Sequence, residues 1–217
     1  MNSFKFVFEG ASAEITEKKS RFIAHVKPIQ SEEDALSFIQ SKKKEYWDAR
    51  HNCYAYVCGS NNEISRCSDD GEPAQTAGRP MLDVILNEGV HDVCVVVTRY
   101  FGGVLLGTGG LVRAYQKATQ EGLAASTILE KQAGSLLSVK CDYTLLGKVQ
   151  YILGKNDITI KDTIYTDNVE FMFAVSDEMT ERIISEITEG TNGSAVIEAK
   201  EKISFAKKGN EIIFFTR

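Results

Sequence analysis

Apolar and polar positions alternate in short bursts along the first half of the chain, and the period changes from burst to burst. Residues 20–29 (SRFIAHVKPI) alternate with a period near two, which predicts a strand that Pro28 helps to end. Ser31 followed by Glu32, Glu33 and Asp34 predicts a helix start. The serine can cap, the acids suit the first turn, and Lys42, Lys43 and Lys44 fall in the last turn where the dipole favours cations. Ala35, Leu36 and Ile39 supply its apolar stripe, and the lysines are read as a solvated helix end. Residues 51–58 (HNCYAYVC) predict a second strand, with Asn61-Asn62 turning into residues 63–68. Pro80 suits the first position of a helix running through Leu86 and closed by Gly89. Residues 93–99 (VCVVVTR) form the most β-branched run and predict a central, buried strand. Beyond a glycine-dense loop, Thr108 is placed to cap a helix with Leu111, Val112, Tyr115 and Ala118 along one face.

From about Gly134 the texture changes. A strand over 135–141 leads to a helix carrying Leu145, Leu146, Val149 and Ile152 and closed by Gly154. Strands 158–164 and 169–175 make a hairpin across Thr166-Asp167-Asn168, with Val169, Phe171, Phe173 and Val175 on one face. A helix from Asp177 to Glu189 uses Met179, Ile183 and Ile187 and ends at Gly190, and strands over 195–205 and 212–215 follow. This β-α-β-β-α-β order is that of a ferredoxin-like domain. The change of texture near 127–134 predicts two domains, 1–130 and 134–217.

Composition agrees with a globular α+β protein. The 217 residues are 43% hydrophobic and 25% charged, enough for two cores of about 100 residues each. No run of about 18 apolar residues occurs, so no membrane partner is expected. The N-terminal segment carries charges throughout and has no apolar h-region, which predicts a cytoplasmic protein without a signal peptide. Cys53, Cys58, Cys67, Cys94 and Cys141 contain no C-x-x-C and most sit in apolar runs, so reduced, mostly buried thiols are expected rather than disulfides or a zinc site. The formal net charge is −5. Residues 1–130 hold 14 Lys/Arg against 17 Asp/Glu, and residues 131–217 hold 11 against 13. Neither half is a polycation, so nucleic-acid binding would need a local basic patch, and no DNA specificity is expected.

Two segments depart from core patterning. Residues 68–80 (SDDGEPAQTAGRP) gather Asp69, Asp70 and Glu72 before the Pro80 helix, and residues 98–113 (TRYFGGVLLGTGGLVR) place five glycines between strand and helix. With residues 49–56 (ARHNCYAY), SDDGEPAQTAGRPM, VTRYFGGVLLGTGGLVRAY and the earlier KSRFI, the chain resembles the YigZ/IMPACT family in order and spacing, strongly over residues 18–126. Gln116 departs from the glycine expected after Ala-Tyr. The resemblance implies a first domain with the two-layer α/β fold of domain four of elongation factor G. It implies a second, ferredoxin-like domain similar to domain five of that factor. Those domains touch ribosomal RNA. Eukaryotic relatives bind an activator of a starvation-sensing kinase through an additional N-terminal domain. RNA, the ribosome or a ribosome-associated protein is therefore the expected partner. No catalytic residue set, cofactor or metal is implied.

Arg50, Arg66, Arg79, Arg99 and Arg113 lie in or beside the signature segments, and their planar forks suit phosphate. Tyr100 and Phe101 can stack on bases or on an apolar partner. Equally, Arg79 and Arg99 can pair internally with Asp69, Asp70 or Glu72 and fix the loops. The loop of Gly102, Gly103, Gly107, Thr108, Gly109 and Gly110 can cradle an anion at a helix start. It lacks the Walker lysine and the dinucleotide fingerprint, and the glycines also serve positive φ and close packing. An enzyme or small-anion reading would use that loop with the three acids. His51 and Cys53 sit at i and i+2, roughly 7 Å apart on one strand face, too far for a routine hydrogen bond.

Overall fold

The computed structural model describes residues 3–59, 61–209 and 211–215. Residues 1–2 and 216–217, the outer ends of the two predicted domains, lie outside the described residues. Contacts gather the described chain into two units, Phe4–Leu129 and Glu130 onward together with Ser3, so the first residue of one strand (Ser3–Glu9) and the first three of another (Thr127–Cys141) fall across the boundary.

The first unit contains strands β1 (Ser3–Glu9), β2 (Ser12–Glu17), β3 (Ser20–Pro28), β4 (His51–Cys58), β5 (Ile64–Ser68), β6 (Val90–His91) and β7 (Val93–Tyr100). Its helices are α1 (Glu32–Glu45), α2 (Gly78–Glu88) and α3 (Thr108–Ala125). Five strands make an antiparallel sheet in the order β2-β3-β7-β4-β5, and β1 pairs in parallel with the short β6. The central β7 is buried at every position from Val93 to Arg99, so both sheet faces need cover. On one face Phe22, Ala55, Val95 and Val97 pack under Met81 and Ile85 of α2 and Leu111 and Tyr115 of α3. This is the expected two-layer sandwich. On the other face Tyr56, Cys94 and Val96 lie under Ala35, Phe38 and Ile39 of α1, so α1 adds cover to the second face.

Local signals place most elements and misplace some of their details. Ser31 caps α1 by accepting from the Asp34 N–H at 3.2 Å. The buried stripe is Ala35, Phe38 and Ile39, at helical spacing, and Leu36 is 47% exposed. Helix α2 begins at Gly78, two residues ahead of Pro80, and ends at Gly89 with φ 65°. Pro80 is tolerated there because first-turn N–H groups lack intrahelical acceptors. In α3 the cap position is Gly107 and Thr108 is the first helical residue. Ala114 replaces Val112 in the stripe Leu111, Ala114, Tyr115, Ala118.

The second unit contains β8 (Thr127–Cys141), a 3-10 turn (Tyr143–Leu145), α4 (Leu146–Lys155), β9 (Ile160–Tyr165), β10 (Val169–Ser176), α5 (Asp177–Gly190), β11 (Val196–Lys208) and β12 (Glu211–Phe215). Its antiparallel strand order is β12-β11-β8-β10-β9. Without β12 this is the ferredoxin-like sheet, and β12 adds a hairpin at its edge. Val169, Phe171, Phe173 and Val175 project from β10 onto Val149, Ile152 and Leu153 of α4 and Ile183 and Ile187 of α5. Gly154 does not close α4. The helix reaches Lys155, and the Asn156 side chain donates to the Ile152 carbonyl at 2.9 Å. Among the described residues no helix is long and apolar enough to cross a membrane.

Candidate functional site

Strand β7 leaves the core at Arg99, which lies opposite His51 of β4 and Phe22 of β3. The guanidinium sits against the Phe22 and Phe101 rings, 5.4 and 5.6 Å from their centroids. Its Nη1 donates to Glu72 Oε1 at 2.6 Å, with the two side chains only 7% and 3% exposed. The Tyr115 hydroxyl donates to the same oxygen at 2.8 Å. The Cys53 thiol donates to the Asp69 carbonyl at 2.9 Å and lies 3.3 Å from the Tyr115 hydroxyl. Burial pushes both the Cys53 thiol and the Tyr115 phenol far up from their ordinary values. Cys53 is therefore a neutral packing thiol and a poor nucleophile. Cys94 and Cys141 are likewise buried, Cys58 is half-buried and Cys67 is exposed; all five are free.

The three acids of the 68–80 segment diverge. Asp69 Oδ1 accepts from the Ala77 and Gly78 N–H groups at 2.9 Å each, and its Oδ2 accepts from Gln75 at 2.8 Å. Its charge thus sits at the positive end of α2. Asp70 accepts from Lys43 Nζ at 2.5 Å and from the Asn52 N–H at 2.7 Å, while its carbonyl lies 2.9 Å from His51 Nδ1. Each acid is committed to a different partner, which removes the geometry for using them together as acid, base or ligand set. Lys43 ties the end of α1 to this loop, so that lysine is more than a solvated helix end.

The glycine loop is shaped by packing and by φ. A Cβ on Gly102 would lie 2.1 Å from the Lys19 backbone, and the Gly102 N–H donates to Ser20 Oγ at 3.2 Å. Gly107, at φ 72°, turns the chain into α3.

The signature segments meet around one cleft of about 410 Å³. Arg50 and His51 come from the start of β4, Gly71–Glu72–Pro73 from the acidic loop, Arg99 and Phe101 from the end of β7, and Leu105 to Thr108 from the approach to α3. Phe101 is 49% exposed and Leu105 83%. Arg50 is exposed and makes no ion pair among the described residues. The other predicted site residues lie elsewhere. Arg113 is exposed on α3 and, with Gly110, lines a smaller hollow of about 250 Å³ that also contains Lys18 and Lys117. Arg66 is exposed on edge strand β5 and donates to the Ser65 carbonyl at 3.1 Å. Arg79 pairs with Asp83 at 2.8 Å, one turn along α2, and not with the acidic loop. Tyr100 points to the opposite sheet face from Arg99. Its hydroxyl donates to Asp48 at 2.8 Å, and Arg21 lies 5.6 Å from its ring centroid. Gly102 and Gly103 belong to the loop and Gly109 to the first turn of α3, and none of the three lines the cleft. The sequence reading missed Tyr115 and Leu106 as parts of the site. A tyrosine within a buried helix stripe is a usable signal, because its hydroxyl needs a partner.

A family model described as the Impact N-terminal domain matches residues 18–123, and one described as a domain of unknown function (DUF1949) matches residues 139–194. The IMPACT family member YvyE of Bacillus subtilis (strain 168) is 42% identical over 212 residues, covering 98% of each chain. The IMPACT family member YigZ of Escherichia coli (strain K12) is 36% identical over 187 residues, covering 85% of this chain and 92% of that one. A crystal structure of a hypothetical protein, 33% identical, covers 93% of this chain and 98% of its own with a TM-score of 0.58.

Proposed function

Because the chain belongs to the IMPACT family, we propose that it acts on translation in the cytoplasm by binding RNA, the ribosome or a ribosome-associated protein, not by catalysis. The observation that carries this reading is the convergence of the family's signature segments on one cleft, with an exposed Arg50 that has no ion pair among the described residues, beside the exposed Phe101 and Leu105. Arg50 offers a two-pronged donor to phosphate or carboxylate, and the apolar mouth offers contact area. Arg113, Lys18 and Lys117 extend the positive edge into the neighbouring hollow. Cys53, its pKa raised by burial, is held neutral and does not serve this cleft as a nucleophile.

Co-sedimentation with ribosomes and total RNA over a salt series tests it. Arg50→Ala/Arg113→Ala is the suitable variant, because both positions are exposed. Arg99→Ala is a poor probe, because it strands Glu72 in the interior. The expected result is association that weakens with salt and weakens further in the double variant, since each neutralised phosphate releases counterions. Equal association of parent and variant at every salt concentration would remove these arginines from the contact surface.

A further inference from the structure

The proposed binding surface says where a partner touches; the lining of the cleft narrows what enters it. Its walls are mainly Phe101, Leu105, Leu106 and Leu111, which suit a flat apolar body. Glu72, the one carboxylate in its lining among the described residues, has one oxygen occupied by both Arg99 and Tyr115. Positive character is in excess on two counts, and a third observation adds an unused donor. Arg50 stands without a counter-ion among the described residues. The 18-residue helix α3 opens into the cleft at Gly107 and Thr108, with no side-chain cap on its first N–H groups. Finally, Arg99, 93% buried by the 7% exposure of its side chain, lines the cleft and donates only to Glu72; its Nε has no acceptor. Arg99 is paired with Glu72 and so adds no free charge, but its Nε is a buried donor without an acceptor beside the cleft.

Charge over the whole first domain argues against a long phosphate track, with 14 Lys/Arg against 17 Asp/Glu over residues 1–130. One phosphate suits the site, because its oxygens can meet the Arg50 fork and the α3 N–H groups from two directions. Phe101, about half exposed, presents ring surface on which a base can stack.

We propose that the cleft binds one nucleotide unit bearing a terminal 5′-phosphate, the phosphate on Arg50 and the start of α3 and the base against Phe101. The inference rests on the reading of this cleft as the binding surface, and it adds the chemistry of the occupant. That chemistry has two sources, a free nucleoside monophosphate or the 5′ end of an RNA. Isothermal titration of the full chain distinguishes them, using the four ribonucleoside 5′-monophosphates, the four nucleosides, inorganic phosphate, and short oligoribonucleotides with 5′-phosphate or 5′-hydroxyl ends. Saturable 1:1 binding is expected for a 5′-phosphorylated ligand, about tenfold or more tighter than for the nucleoside or for phosphate alone. Binding of monophosphates as well as RNA identifies the free nucleotide as sufficient; binding of 5′-phosphorylated RNA alone identifies the RNA end. Arg50→Ala and Phe101→Ala should each weaken binding about tenfold, with unchanged urea midpoints, and Arg66→Ala should not alter it. No saturable binding by any phosphorylated ligand, or binding indifferent to Arg50→Ala and Phe101→Ala in folded protein, overturns the proposal. Ribosome association that persists without nucleotide binding sinks this inference alone, whereas nucleotide binding without ribosome association sinks only the broader reading.

Discussion

The two units solve the same packing problem with different interiors. The second buries apolar side chains almost throughout, and its buried polar residues are the uncharged Ser135, Ser138 and Thr191. The first buries Glu72, Arg99, His25, His91, Asn52 and Thr98 beside its aliphatic core. Stability alone gives no reason for that choice, because a buried ion pair is often no better than apolar residues of similar volume. The charged pair and its polar neighbours are clustered, whereas His25 and His91 stand apart on β3 and β6. Glu72 and Arg99 lie at the end of β7 where the signature segments meet, and Asn52 accepts a 2.7 Å hydrogen bond from Thr98 one position earlier on the same strand pair. Where one interior follows the rule for a core and the other buries an ion pair, the place of that pair is the better guide to function.

Breaking each interior should show the difference. The largest effects come from the cores themselves. Phe171→Ala, fully buried in the second unit, should cost about 3–5 kcal/mol in urea denaturation, and Arg99→Ala should cost about as much in the first. Only the latter should be partly repaired by a second change. Glu72→Met/Arg99→Met should be more stable than Arg99→Ala, because no charge is left stranded. Next comes pH. Burial, aided by the Lys42 charge, lowers His25 from 6.5 to about 4. The unfolded chain takes up this proton near 6.5 while the folded chain refuses it until about 4. The contribution is thus complete above pH 6.5 and is lost as pH falls towards 4, by on the order of 3 kcal/mol. His25→Gln should flatten that slope in denaturation curves taken across this range. Asp69→Ala, which frees three N–H groups around the start of α2, should destabilise by about 2 kcal/mol. Arg79→Ala should change the midpoint least, by about 0.5 kcal/mol or less, because its pair with Asp83 is exposed.

The second unit was more fully legible in the sequence than the first. Its alternation in Val169–Ser176 and its helical spacing in Asp177–Gly190 specify faces directly; the helix ends, the early start of β8 at Thr127, the later start of β9 at Ile160 and the extension of β11 to Lys208 escaped. In the first unit β7 was plain because five consecutive apolar residues are β-branched or small. Strands β1 and β2 were not anticipated, because neither carries a run of apolar positions as continuous as β7. At the site the sequence named the right segments but could not sort their members. Arg79 and Arg99 look alike in a string, yet one pairs with Asp83 on a helix surface and the other is buried against Glu72. Pairing depends on which loop returns to which strand end, and the separation of 27 positions from Glu72 to Arg99 hides that from any local pattern.

The most direct test of the claim that the first unit's cleft does the binding is hydrogen exchange on the full chain with and without ribosomes. The expected result is slowed exchange in peptides covering Arg50–His51, Gly71–Pro73 and Phe101–Leu111, with the segment from Glu130 onward unchanged. Protection confined to that later segment, with the cleft peptides unaffected, would contradict it.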